Sequence, residues 1–196
     1  MAEGGSMRII AGQFKGRKID FPEHIRPTQD KVREAIFNTL GQDFKGRIVL
    51  DLFAGSGAMG LEALSRGAKN VVFVDIERKC NLLIKSNLED FGELLKRTQV
   101  VEIYRQDGFH AVTIAAKRKR RFDVVFADPP YHKGLAKKLL KTPDLDDIVA
   151  PYSFLVVEHA VTDSLDFDPK DSAFKLYKES EYGKIKVTYF QKIRNS

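Results

Sequence analysis

The sequence predicts an α/β fold: a doubly wound, mostly parallel sheet with helices on both faces. Three observations predict it. From Arg47 onward, short and nearly continuous apolar runs alternate with helical patterns, as parallel strands buried on both faces and joined by crossover helices require. No internal repeat or low-complexity linker interrupts the alternation. The ending then changes period, because residues 174–181 and 184–192 alternate polar and apolar about Gly183, which predicts an antiparallel hairpin closing the sheet.

The elements follow in order. Met1 to Ser6, glycine-rich and followed by a second methionine, has the composition of an appended tail, so the fold is expected to begin at Met7. Arg8 to Ile19 forms two short alternating runs around Gly12 and Gly16, a small hairpin. Pro27-Thr28 opens an amphipathic helix whose apolar face is Val32, Ala35, Ile36, Thr39 and Leu40, with Lys31, Arg33 and Glu34 off it and Gly41 as its stop. Residues 7–46 thus read as an N-terminal extension of hairpin and helix, ahead of a main domain over 47–196. In that domain strands are predicted near 47–53, 70–75, 99–105, 122–127 and 153–158, with helices near 58–66, 77–90, 108–118 and 134–141. With the hairpin the sheet would have seven strands.

Composition narrows the function classes. The chain of 196 residues, 43% hydrophobic and 31% charged, suits one soluble domain with a small appendage. It has no apolar stretch near the roughly 18 residues of a membrane span and no signal-peptide core, so a cytoplasmic monomer is expected. The single Cys80 cannot form an internal disulfide. His24, His110, His132 and His159 lack metal-ligand spacing, so no metal is expected. The net charge of +6 favours polyanionic partners. Its placement is more telling: residues 117–141 hold nine basic residues against Asp123 and Asp128, and residues 7–33 hold seven against Asp20, Glu23 and Asp30.

Asp51 to Gly60 follows the first sheet strand and enters a helix, with Gly55, Gly57 and Gly60 permitting a tight turn and close approach to the backbone. Asp75, at the end of the next strand, is placed for the vicinal hydroxyls of a ribose. A dinucleotide and S-adenosylmethionine both suit this arrangement. Asp51 separates them, since a carboxylate there repels a pyrophosphate and receives the ammonium of S-adenosylmethionine. Length agrees, because little chain remains for a dehydrogenase's substrate domain. Asp107, after the third strand, either accepts from the adenine amino group or caps the following helix, and neither role excludes the other.

Asp128-Pro129-Pro130-Tyr131 comes where the run from Phe122 to Ala127 ends. Each proline fixes its own φ and disfavours the α region before it, so the chain leaves the strand rigid and extended. The Asp128 carboxylate and nearby carbonyls are then fixed acceptors for a planar amino group, beside an aromatic plate. Asp51, Asp75, Asp107 and Asp128 thus lie at four successive strand ends.

These residues resemble the class I S-adenosylmethionine-dependent methyltransferases, and more narrowly the RsmD-type bacterial small-subunit ribosomal RNA guanine-N2 methyltransferases. The resemblance rests on Arg26 to Leu40, Val49 to Ala68 and Phe122 to Tyr131, and covers most of the chain from Met7. Asp75 stands where a glutamate is commoner and Gln106-Asp107-Gly108 where Gly-Asp-Ala is usual, but both keep the carboxylate. The resemblance implies a Rossmann-like methyltransferase domain over 47–196, with catalysis by Asp128, Pro129, Pro130 and Tyr131. It implies S-adenosylmethionine held by Asp51, Phe53, Gly55, Gly57, Asp75, Ile76, Asp107 and Gly108, and ribosomal RNA or a small ribosomal subunit as partner. Candidate RNA contacts are Arg26, Thr28, Lys31, Arg33, Lys133, Lys137 and Lys138, with Lys141 on the same stretch. The run from Lys117 to Arg121 precedes a strand and is expected at the opposite edge, as a solvated helix end. The competing readings are a DNA or other RNA amino-methyltransferase using the same motif, a nicotinamide oxidoreductase, and a non-catalytic RNA-binding module.

Overall fold

The computed structural model describes residues 5–21, 30–92, 95, 98–131, 133–168 and 173–193. By its internal contacts the chain divides into two compact units, Met1–Gln106 and Asp107–Ser196.

The first unit opens with strands β1 (Gly5–Arg8) and β2 (Lys18–Phe21), paired antiparallel with Met7 opposite Ile19. The hairpin forms as expected, but its strands lie outside Gly12 and Gly16, and Gly5 and Ser6 pair within it. The connection is long because it packs: at Gly12 (φ +83) a Cβ would stand 2.0 Å from the Ser65 carbonyl oxygen. Helix α1 (Asp30–Leu40) buries Val32, Arg33, Ile36, Phe37 and Leu40. The buried stripe is rotated from the expected one, because Arg33 and Phe37 turn inward while Ala35 and Thr39 are half-buried. The residues expected to open this helix, Pro27 and Thr28, lie outside the described residues, as does Arg26.

Next come β3 (Ile48–Leu52), α2 (Ala58–Ser65), β4 (Asn70–Asp75), α3 (Arg78–Glu89) and β5 (Val100–Arg105), with β3 parallel to β4 and β4 parallel to β5. Four consecutive residues of β3 and of β4 are buried, so apolar side chains serve both faces. Phe14 stacks on Phe91 with centroids 4.8 Å apart, which fixes the loop after β1 onto this core.

The second unit contains α4 (Gly108–Lys117), β6 (Phe122–Ala127), α5 (Leu135–Leu140), α6 (Leu145–Ile148), β7 (Val149–Ala160), β8 (Phe174–Tyr182) and β9 (Ile185–Lys192). β6 and β7 are parallel, while β9 runs antiparallel to both β7 and β8, so the predicted terminal hairpin is present. The seven-stranded sheet has the order β5-β4-β3-β6-β7-β9-β8. β7 starts earlier than the apolar run suggests: the register shifts between Phe122↔Val149 and Val124↔Phe154, and Tyr152 takes φ 62, so a bulge hides the strand's first residues. Among the described residues no helix is long and apolar enough to cross a membrane.

Candidate active site

In the first unit, Asp51 sits on β3 with 4% of its surface exposed, and its carboxylate accepts from the Gly60 backbone N–H at 2.9 Å. Burial pushes its pKa up to about 8, the Gly60 bond opposes this and the neighbouring Asp75 charge adds to it. Phe53, just past β3, holds φ 58, a left-handed conformation that a non-glycine residue adopts only under constraint. Gly55 follows with φ 55 and donates its N–H to Asp75 at 2.8 Å. The other Asp75 oxygen accepts from Glu77 N–H at 2.8 Å, so one carboxylate pins the loops after β3 and after β4. The Cys80 thiol also hydrogen-bonds this carboxylate, which still has accepting capacity left for a hydroxyl donor.

The glycines have different tasks. Gly57 (φ +78) begins α2, and a Cβ on Gly60 would come within 2.2 Å of the Phe73 ring, so Gly60 serves close packing of α2 on β4. Ile76, next to Asp75, is 59% exposed, an apolar side chain that a flat aromatic group can cover. A buried acid, a carboxylate with spare lone pairs and an open apolar side chain fit the ammonium, ribose and adenine of S-adenosylmethionine in turn. Among the described residues no cluster of His, Cys, Asp and Glu could hold a metal ion.

In the second unit, Asp107 caps α4 by accepting from His110 N–H at 2.9 Å, with Gly108 buried as the first helical residue. Asp128 is half-buried immediately after β6, Pro129 is buried and Pro130 exposed. The Tyr131 hydroxyl donates to Glu158, a residue 5% exposed on β7, whose neighbour Val157 pairs with Ala127. Sequence reasoning missed Glu158. An acid at the end of the apolar run Phe154-Leu-Val-Val was the available signal, since carboxylates are rarely so buried without a partner.

The basic candidates separate. Lys31 is exposed on α1, and Lys133 and Lys141 are exposed near α5. Lys137 pairs with Asp166, and the Lys138 ammonium lies 4.3 Å from the Phe109 ring centroid. Arg33 is a correction. Expected on RNA, it is fully buried, 3.0 Å from Asp30 and 3.6 Å from Glu62, and bonded to the Arg8 carbonyl, so it is not available to a nucleic acid. The run from Lys117 to Arg121 forms the solvated end of α4, with Arg120 resting over Phe122. His159 is buried with Nε2 2.9 Å from Thr188 Oγ1, and burial lowers its pKa, which makes it a neutral packing residue.

Comparison with known proteins agrees with this geometry. The family described as "Conserved hypothetical protein 95" matches residues 7–191. The chain is 32% identical over 190 residues to the ribosomal RNA small subunit methyltransferase D of Escherichia coli, covering 96% of this chain and 91% of that one. The namesake from Buchnera aphidicola of Acyrthosiphon pisum is 36% identical over 173 residues, covering 87% and 85%. The solved Escherichia coli protein yhhF superposes with a TM-score of 0.79 at 30% identity, covering 96% of this chain and 99% of that one. A Thermus thermophilus 16S rRNA N2 methyltransferase, solved with AdoMet and guanosine, gives 0.69 at 25% identity over 98% of this chain and 50% of its own. Its sheet, its strand-end acids and these relatives agree: the chain belongs to the RsmD-type small-subunit ribosomal RNA methyltransferases, which use S-adenosylmethionine.

Proposed function

We propose that the chain methylates the exocyclic N2 amino group of a guanine in 16S ribosomal RNA, and that Asp128 to Tyr131 perform the recognition. The observation that carries this reading is the rigid exit from β6, with Asp128 half-buried and the Tyr131 phenol held on Glu158. The guanosine bound to the Thermus relative supports guanine over other bases. Under this assignment the ammonium of the cofactor meets Asp51, its ribose meets Asp75, and its adenine covers the open side chain of Ile76. S-adenosylmethionine, when bound, supplies an electrophilic methyl group on a sulfonium. The chain's task is then to prepare a poor nucleophile, because the lone pair of the guanine amine is delocalised into the ring.

Asp128 and an adjacent backbone carbonyl accept the two N–H bonds of the amine, which favours a pyramidal nitrogen with a localised lone pair. Tyr131 stacks on the base, and its bond to Glu158 fixes the ring plane. Holding nucleophile and methyl group in line accounts for about 7–11 kcal/mol of the barrier through orientation alone. Residues 7–46 would lie over the RNA as an extension of the methyltransferase domain at 47–196. The target base must leave its stack, which favours a loop nucleotide. Purified protein is expected to transfer labelled methyl to deproteinised small-subunit RNA or immature subunits, with the product mapping to guanine N2. Asp128→Ala should abolish transfer and still bind cofactor; equal turnover in that variant would overturn the assigned role. Transfer to DNA instead of RNA would favour the alternative amino-methyltransferase reading.

A further inference from the structure

A groove of about 690 Å³ opens between α4 and α5 in the second unit. Its walls include Phe109 and His110 from the first turn of α4, and Lys138 and Lys141 from α5 and its cap. That size lies within the range of about 300–1,000 Å³ usual for small-molecule sites, room for a single nucleotide. Among the described lining residues Asp107 is the one acid, and it is engaged in capping His110 N–H. Lys137, also in the wall, is paired with Asp166, which leaves Lys138 and Lys141 to set a positive groove. Phe109 is half-buried, so its ring borders the groove, and the Lys138 ammonium lies 4.3 Å from its centroid. Gly134, in the same wall as the N-cap of α5, follows Tyr131 by three residues along the chain.

We propose that this groove is a nucleotide subsite for the RNA strand flanking the target: Phe109 stacks a neighbouring base, and Lys138 and Lys141 take its phosphates. The inference rests on the reading of RNA as substrate and extends it to a second nucleotide. A cation over an aromatic face is a stable resting arrangement that an incoming nucleotide can replace in kind. The base takes the ring face, and the ammonium passes to that base's own phosphate. Aromatic stacking is sequence-tolerant and worth roughly 5- to 150-fold in affinity per base, while lysine–phosphate contacts add a salt-dependent part.

The test measures binding, so it does not depend on methyl transfer. Fluorescence anisotropy with a labelled single-stranded oligoribonucleotide, and with deproteinised small-subunit RNA, gives Kd for the full chain saturated with S-adenosylhomocysteine. Phe109→Leu keeps apolar volume in α4 but removes the aromatic face, and should weaken RNA binding at least about fivefold. The cofactor Kd should stay unchanged, and Phe109→Tyr should restore RNA binding. Lys141→Gln, at an exposed position that cannot compromise folding, should lower the slope of log Kd against log salt by about 0.7. Native RNA affinity in Phe109→Leu, or an unaltered salt slope in Lys141→Gln, would overturn the subsite. So would a Phe109→Leu variant that loses cofactor and not RNA, because Phe109 would then belong to the adenine end. If the native chain binds RNA through Phe109 yet methylates none, the functional reading fails and the subsite stands.

Discussion

Under the proposed assignment of the cofactor's ammonium to Asp51, cofactor binding depends on pH. The Asp51 carboxyl is buried on β3, and its pKa is raised from 3.8 to about 8. In the free protein near neutral pH it therefore holds its proton. The sign follows: the unfolded chain gives up this proton first, so the stability it contributes is full below pH 4 and is lost as pH rises through 8. Over that window each pH unit costs about 1.4 kcal/mol. An ammonium placed against Asp51 reverses the balance, because the carboxylate is then the favoured form. At pH 7 the cofactor should expel about 0.9 proton, and between pH 6 and 7 its affinity should rise about ninefold. Above pH 8 the cofactor's own amine begins to lose its charge, and the gain ends. Titration calorimetry in buffers of different ionisation enthalpy measures the proton count directly. Asp51→Asn retains an acceptor for Gly60 N–H but cannot ionise. It should bind cofactor roughly ten- to a hundredfold more weakly, as expected for losing a charge-assisted hydrogen bond, and release no proton. No proton release from the native chain at pH 7, or the same ninefold slope in Asp51→Asn, would refute the assignment.

Other variants probe the remaining parts. Tyr131→Phe removes the hydroxyl bonded to Glu158 and should lower kcat/KM about ten- to a hundredfold, and combining it with Glu158→Ala should add little, as a double-mutant cycle on steady-state rates would reveal. Gly60→Ala puts a methyl group 2.2 Å from the Phe73 ring, so thermal unfolding should show a loss of about 1–3 kcal/mol. Arg33→Met leaves Glu62 short of one cation, and denaturant unfolding should show a loss of about 3–5 kcal/mol; a variant of native stability with weakened RNA binding would restore Arg33 to the RNA-contact set.

The sheet was legible because burial on both faces leaves a continuous apolar run: β4 occupies residues 70–75 and β6 residues 122–127, the ranges predicted from the apolar pattern alone. The cap at Asp107 was equally legible, since an N-cap acts three residues away along the chain. Arg33 was not. Its partner Glu62 lies 29 positions further on, in a helix whose eight residues are all buried, and no local period can report such a pairing. Glu158 stayed hidden for a similar reason, because its partner Tyr131 belongs to a different strand end. α6, with four residues, is too short to display a helical period.

Buried acids in this chain divide into two kinds by their surroundings. Glu62 is compensated within the fold: Arg66 stands 2.8 Å away and Arg33 3.6 Å, and its two oxygens accept from Ile10 N–H at 2.9 Å and Ala11 N–H at 3.0 Å. Such a carboxylate fastens the N-terminal segment to α2, and Ser65 adds a second fastening by accepting Phe14 N–H at 2.9 Å. Helix α2 begins at the Gly57 turn, so these bonds hold that turn from behind and, under the proposed assignment, reduce the ordering left to occur when the cofactor binds. Asp51 is the other kind. Among the described residues it meets one backbone N–H and no cation, and its neighbouring charge is the like charge of Asp75. Folding tolerates it by keeping it protonated, at the cost of an acid that ionises readily only when a positive group arrives. The proposed ammonium contact therefore draws on a cost already met in folding, which is why Asp51 and not the fully satisfied Glu62 can sense the ligand.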